Sequence, residues 1–201
     1  FGALGVPQAQ NAVMANADTQ VDIAYPVVAK ILSPDIAHKT DAGGVVLNIG
    51  NAAALKQAAQ EILTRVKAKH PQAKLNGILV QRMERGLAEV IVGYKHDPQV
   101  GPLVVLGVGG VLAEIYHDFA MRLAPVTPET AQEMIKEVKG LAVINGYRGM
   151  PRGDCAALAE AVAAFSQLAA FDDIAEAEIN PLLVRKENDG VVAVDGLIVR
   201  H

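Results

Sequence analysis

The chain has 201 residues, 51% hydrophobic and only 20% charged, which is enough to bury a core as one domain or two small lobes and excludes general disorder. The net charge is −4 and the pI near 5.7, and the five histidines and 18 Lys+Arg are scattered rather than striped, which argues against nucleic acid as a partner. Cys155 stands alone, so neither an internal disulfide nor a cysteine-based metal site is available, which suits a reducing compartment and points to a cytoplasmic protein.

Along the chain, a polar, alanine-rich opening precedes a buried strand over 26–32, broken by Ser33-Pro34-Asp35. A glycine-containing segment over 38–44 leads to a strand over Val45–Ile49. Apolar residues at helical spacing predict a helix over Ala52–Lys69, with Asn51 as N-cap and Pro71 just beyond its end. Strands follow over 77–83, 88–94 and 102–106, with a turn at His96-Asp97-Pro98. The stretch 103–113 is the most apolar, but glycines interrupt it and it is too short for a bilayer, which needs about 20 apolar residues. No membrane association is therefore expected. Strands over 112–116 and 120–123 flank a turn at His117-Asp118. Helices are expected from Pro128 to Gly140, capped by Thr127, and after Asp154, separated by a loop over 145–151. A hairpin pairs 177–186 with 191–200. Strands and helices mix without strict alternation, so the class is α+β in two lobes, 1–84 and 85–201, with a hinge over 83–86. The chain opens at Phe1 without a methionine or a basic-then-apolar leader and reads as part of something longer.

Lys30 lies inside an apolar strand, and a buried ammonium needs an anion. Glu178, Asn180 and Asp195 gather on one hairpin face, and clustered carboxylates need a cation. Mg²⁺ with a nucleotide phosphate meets both demands, because Mg²⁺ is held by one or two carboxylates while phosphates complete its shell. If the turn sets Lys186 opposite Val191, Asp195 lies opposite Leu182 with Asn180 as its diagonal neighbour, roughly 7–8 Å away. Pro181 suggests an edge or a bulge. The alternative is a solvated polar face on an edge hairpin. No GxxxxGK[ST] is present, so Lys30 is the phosphate ligand, with Arg122 as a second buried cation, unless Arg122 instead forms a structural ion pair with Glu114. Gly107-Val108-Gly109-Gly110 either approaches phosphate or makes a tight turn. Gln81 and Met83 end a strand where adenine could take backbone hydrogen bonds, although a strand-end methionine is usually core.

Several collinear segments carry a resemblance: Tyr25 to Ile31, Ser33 to Val45 around His38, Glu89-Val90-Ile91-Val92-Gly93, the glycine run, Glu178-Ile179-Asn180-Pro181-Leu182 and Val194-Asp195-Gly196. They closely resemble the ATP-grasp domain of NDP-forming (ADP-forming) acyl-CoA synthetases, acetyl-CoA synthetase beta-subunit-like and related to the succinyl-CoA synthetase beta subunit. The resemblance implies an ATP-grasp fold, two α+β lobes clamping ATP or ADP with Mg²⁺, and conversion of acid, CoA and ATP to acyl-CoA, ADP and phosphate. It implies that Lys30 contacts phosphates, that 81–83 receives adenine, that Glu89 lies near ribose or phosphate, and that Asn180 and Asp195 hold Mg²⁺. It also implies that His38 relays a phosphoryl group to and from a phosphohistidine on a separate CoA-ligase domain, a partner in a hetero-oligomer or in a longer chain. Chemistry agrees, since neutral imidazole is nucleophilic and Lys39 is adjacent; the alternative is a histidine that only positions its loop. The distance from Gly5-Val6-Pro7 to Tyr25-Pro26 is shorter than the family pattern and lacks most of a helix. Other readings are a regulatory nucleotide-binding module, as in synthetase-like protein lysine acetyltransferases, and a structural subunit with an empty cleft.

Overall fold

The computed structural model describes residues 1–36, 38–110 and 118–201. The chain divides into two compact units, Ala9–Met83 and Phe1–Gln8 together with Glu84–His201. Among the described residues no helix is long and apolar enough to cross a membrane.

In the unit Ala9–Met83, strands β1 (Asn11–Met14), β2 (Val27–Leu32), β3 (Val45–Ile49) and β4 (Gly77–Arg82) form an antiparallel sheet in the order β1-β4-β2-β3. Helix α1 (Ala52–Lys69) begins where expected, because the Asn51 side chain accepts a hydrogen bond from the Ala54 N–H at 2.9 Å and satisfies one of the donors left open at a helix start. Leu55, Ala58, Ala59, Ile62 and Val66 repeat every three or four residues and are buried against Val27, Ala29 and Ile31 of β2 and Ile78 and Val80 of β4. Alternation along β2 then turns Val28 and Lys30 to the sheet face away from α1.

Strand β1 was not expected from its sequence, in which only Met14 is buried. It exists because Gly77, at φ +125°, lets β4 approach it: a Cβ there would stand 2.4 Å from the Met14 carbonyl oxygen. Residues 15–26 form turns and irregular chain, with no helix.

The other unit contains β5 (Ala88–Asp97), β6 (Gly101–Val108), β7 (Phe119–Leu123), β8 (Ile174–Val184), β9 (Val191–Ala193) and β10 (Gly196–Arg200). They form an antiparallel sheet in the order β10-β8-β5-β6-β7, with β9 also pairing with β8. Helices α2 (Pro128–Glu137) and α3 (Cys155–Ser166) cover one face, where Met134, Leu158, Val162 and Phe165 bury against Val90, Val92, Tyr94, Val104, Leu106 and Ile179. Thr127 caps α2 and Asp154 caps α3, their side chains accepting from the Thr130 and Ala157 N–H groups.

Several boundaries differ from those expected. Strands β5 and β6 are longer, and the turn moves to residues 98–100, where the Asp97 carboxylate accepts from the Gln99 and Val100 N–H groups at 2.8 and 3.1 Å; these bonds hold its carboxyl below the usual range. Helix α2 stops at Glu137 because the chain tightens into a 3₁₀ turn, Lys139–Asn145, whose first amides donate to Asp118. Residues 1–8, expected in the first lobe, belong instead with Glu84–His201: Val6 is buried in that core, the Ala193 N–H donates to the Pro7 carbonyl at 2.8 Å, and the Phe1 ring stacks tilted on Phe165. The strand expected over 112–116 lies outside the described residues.

Candidate functional site

In the unit Ala9–Met83, Lys30 is 8% exposed and Gln81 4%, and the Lys30 ammonium donates to the Gln81 amide oxygen at 3.1 Å. The sheet register pairs Val28 with Gln81 and Lys30 with Leu79, so the two polar side chains are diagonal neighbours on the face away from α1. Two backbone N–H groups at this strand end, where adenine is expected to take backbone hydrogen bonds, have partners within the unit. The Arg82 N–H bonds the Gln10 carbonyl at 2.9 Å and the Met83 N–H bonds the Pro26 carbonyl at 3.0 Å. Met83 is half-buried.

His38 is exposed on the loop between β2 and β3, flanked by the buried anchors Ile36 and Ala42. The loop is closed by bonds from the Ala42 N–H to the His38 carbonyl and from the Gly44 N–H to the Lys39 carbonyl, at 3.2 and 2.8 Å. Arg65 and Lys69 of α1 donate to the carbonyls of Gly43 and Asp41 and tie its far side down. Gly44 must be glycine, since a Cβ there would meet the buried Ile31 side chain at 2.4 Å. Residues 38–44 are thus held by bonds of their own and from α1, with His38 exposed and Lys39 half-buried.

In the other unit, β8 alternates: Ala177 and Ile179 enter the core while Glu176, Glu178 and Asn180 stand on the opposite, open face. The hairpin register differs from the expected one. Val184 pairs with Val191 and Leu182 with Ala193, because Lys186 leaves the hairpin to form a bridge with Gly153 and the Glu187 N–H bonds the Arg152 carbonyl. The shift is by two residues, so every side chain keeps its face. Its effect is to bring Asp195 level with Asn180, whose N–H donates to the Asp195 carbonyl at 3.0 Å, while the Val194 N–H donates to Pro181. Directly opposed residues have Cβ atoms about 4.5–5.5 Å apart, closer than the diagonal arrangement expected. Pro181 lies not on an edge but in a bulge of β8, where Asn180 and Pro181 together face Ile91 of β5 between the pairs Val90–Leu182 and Val92–Ile179.

Glu89 is on the same open face, exposed, with Val90 turned into the core. The glycine run acts on Glu89: the Gly109 N–H donates to the Glu89 carbonyl at 2.7 Å, and a Cβ at Gly109 would lie 2.9 Å from the Glu89 carbonyl carbon and 3.1 Å from the Val90 nitrogen. Those neighbours are backbone and cannot turn aside. Gly109→Ala is expected to cost about 1–3 kcal/mol, as overpacking does, and to lower the melting temperature in calorimetry; an unchanged melting temperature would show that β5 and β6 can separate freely.

Arg122, expected as a second buried cation, is engaged by a carboxylate. It is half-buried on β7 and faces the helix layer, where its guanidinium forks onto both carboxylate oxygens of Glu137 on α2, one bond at 3.1 Å. That bond holds the Glu137 carboxyl below its usual range. Arg122 shares its row with Val104, Tyr94 and Ala177, on the face opposite Glu178 and three strand spacings from β8, about 14 Å. Glu114, its expected structural partner, lies outside the described residues.

Among the described residues no group of three or more His, Cys, Asp and Glu gathers as a metal site. Glu178, Asn180 and Asp195 supply two carboxylates and an amide oxygen, a hard all-oxygen set suited to Mg²⁺ that keeps waters or phosphate oxygens in its shell. One group went unnoticed in the sequence: Lys95 and Glu176 form an ion pair at 3.1 Å on the open face and, with Glu178 and Leu197, line a hollow of about 180 Å³ over Gly93. Its sequence signal is the glycine in a strand otherwise filled with large side chains.

The sequence profile of the ATP-grasp domain matches residues 1–199. The chain belongs to the ATP-grasp domain family. This ATP-grasp domain is 39% identical over 200 residues to acetate–CoA ligase [ADP-forming] I subunit beta of Pyrococcus furiosus, covering 97% of this chain and 85% of that subunit. It is 40% identical over 195 residues to acetate–CoA ligase [ADP-forming] I of Archaeoglobus fulgidus, covering 94% of this chain but 28% of that protein. The domain therefore spans little more than a quarter of that relative. It superimposes with a TM-score of 0.84 and 31% identity on an acetyl-coenzyme A synthetase 1 of Ca. Korarchaeum cryptofilum, covering 100% of this chain and 88% of that one; that structure holds coenzyme A and Mg-AMPPCP, with a phosphohistidine segment pointing towards the nucleotide binding site. The fold is the ATP-grasp fold, built from mixed helices and antiparallel sheets.

Proposed function

We propose that this chain is the nucleotide-binding, phosphoryl-transferring part of an ADP-forming acyl-CoA synthetase, which converts acid, CoA and ATP to acyl-CoA, ADP and phosphate. The observation that carries the reading is the opposition of Asn180 and Asp195 on the open sheet face beside Glu178. The names and coverage of the relatives support it. The rest of the reaction belongs to a CoA-ligase partner, domain or subunit, that carries its own phosphohistidine.

In this reading Lys30 holds a phosphate oxygen, Glu89 lies near ribose or phosphate, and the strand end 81–83 receives the base. Glu178, Asn180 and Asp195 hold Mg²⁺, which when bound screens the phosphate charge. Asn180 and Asp195 are fixed by the β8 ladder, so they need little reorganisation to receive the ion. Arg122 has no role, since Glu137 occupies it. His38 supplies the nitrogen that accepts the phosphoryl group from the nucleotide and passes it to the partner's histidine; Lys39 beside it offsets the charge that arrives.

The test is calorimetric titration of the chain with ATP, first in Mg²⁺ and then in excess EDTA. Affinity is expected to fall at least about tenfold without the ion, since carboxylates facing a bare polyphosphate repel it. Equal affinity in both conditions would remove the metal site, and no binding in either would remove the nucleotide reading.

A further inference from the structure

Adenine recognition is the role that position in the fold suggests for Gln81, but its side chain is occupied otherwise. Its amide oxygen accepts from the Lys30 ammonium at 3.1 Å, and both side chains are almost fully buried. They stand on adjacent strands, each locked in the sheet register, so the contact is set by backbone pairing rather than by chance meeting of flexible chains. A lysine side chain carries four rotatable bonds and roughly 2 kcal/mol of rotamer entropy, so an ammonium left unguided samples many directions. An acceptor on a strand ladder removes most of that freedom before a ligand arrives, which is preorganisation. The chemistry of the acceptor matters as well. A glutamate at this position would add a negative charge next to the ammonium and weaken its pull on phosphate, whereas an amide directs it and adds no charge.

We propose that Gln81 is a positioning residue that aims the Lys30 ammonium at the nucleotide's phosphates, and that its side chain does not read the base. This rests on the reading of Lys30 as a phosphate ligand. It predicts that Gln81 matters equally for any ligand with the same phosphates, whatever base it carries, and that its effect vanishes once Lys30 is gone.

The experiment measures dissociation constants of the chain for Mg·ATP, Mg·GTP and Mg·tripolyphosphate in the wild type, Gln81→Met, Gln81→Glu, Lys30→Met and the double variant Lys30→Met/Gln81→Met. Methionine keeps the side chain's length without an acceptor, and thermal melts confirm folding. If Gln81→Met does not fold, Gln81→Glu, which retains an acceptor, carries the comparison. Gln81→Met is expected to weaken all three ligands by a common factor of about ten, the scale of a hydrogen bond to a charged group. Gln81→Glu is expected to weaken them by a common factor too, leaving the ATP to GTP ratio unchanged, and the double variant should bind no worse than Lys30→Met. A changed ATP to GTP ratio with tripolyphosphate unaffected would overturn the proposal in favour of base recognition, and so would additive losses in the double variant. Should Lys30→Met bind all three as the wild type does, the phosphate reading itself fails; should Lys30→Met weaken binding while Gln81→Met does not, only the positioning role fails.

Discussion

His38→Ala is expected to abolish phosphoryl passage while leaving nucleotide affinity within about twofold of the wild type. In the proposed mechanism, taken in the ATP-consuming direction, a ring nitrogen of His38 attacks the γ-phosphorus of ATP. The N–P bond forms, the bond to the β-phosphate oxygen breaks, and ADP leaves with the electron pair. Alanine offers no nucleophile, and loss of a nucleophile costs on the order of three orders of magnitude or more in rate. The loop should survive the change. His38 is exposed, its backbone carbonyl rather than its ring takes part in the closing bond with Ala42, and Ile36, Ala42 and Gly44 anchor the segment. The measurement uses ATP labelled at the γ-phosphate. The wild type should acquire acid-labile, base-stable label on protein, while His38→Ala should acquire none and still bind Mg·ATP in calorimetry. Undiminished labelling in the variant would assign the phosphoryl acceptor to another residue.

Asp195→Ala is expected to weaken Mg·ATP binding by at least about 10–100-fold, the loss that even the outer partners of a metal ion produce. Two effects add. One of the two carboxylates disappears from the set, and Asn180 is left opposite a side chain that cannot share a cation with it. The variant should remain folded, because Asp195 is only half-buried at the sheet surface, where its carboxylate accepts from the neighbouring Gly196 N–H at 3.0 Å. Asp195→Asn keeps an oxygen acceptor for that amide while removing the charge, and should fall between the wild type and alanine. A Mg²⁺ titration at fixed ATP separates the outcomes: the midpoint should move to higher Mg²⁺ in the order wild type, asparagine, alanine. If all three midpoints coincide, the hairpin does not hold the ion.

The parts of this architecture that read correctly from the sequence are those governed by neighbours a few residues apart. Helix α1 was expected over Ala52–Lys69 with its Asn51 cap, and β3 over Val45–Ile49, because an N-cap, a 3.6-residue repeat and a two-residue alternation are local signals. Strand β1 escaped because its composition carries no such signal; its place is decided by Gly77, more than sixty positions along the chain. The hairpin register was misplaced by two residues because Gly153, from a different part of the chain, draws Lys186 out of the pairing. The shift is even, so the alternation argument for Asn180 and Asp195 is unchanged, and the Asn180 N–H donates to the Asp195 carbonyl at 3.0 Å.

The amino-acid order by itself determined the α+β class, the approximate extents of most elements, the two-residue alternation along the strands it revealed, and the identity of the polar residues that interrupt apolar runs. Tertiary structure decided which of those polar residues meet. It joined Lys30 to Gln81 across 51 positions and Arg122 to Glu137 across 15, and it set Asp195 level with Asn180. Periodicity is a property of a few consecutive residues and is written in the chain, whereas pairing depends on sheet register and loop closure, which are fixed only when distant segments compete for the same backbone partners.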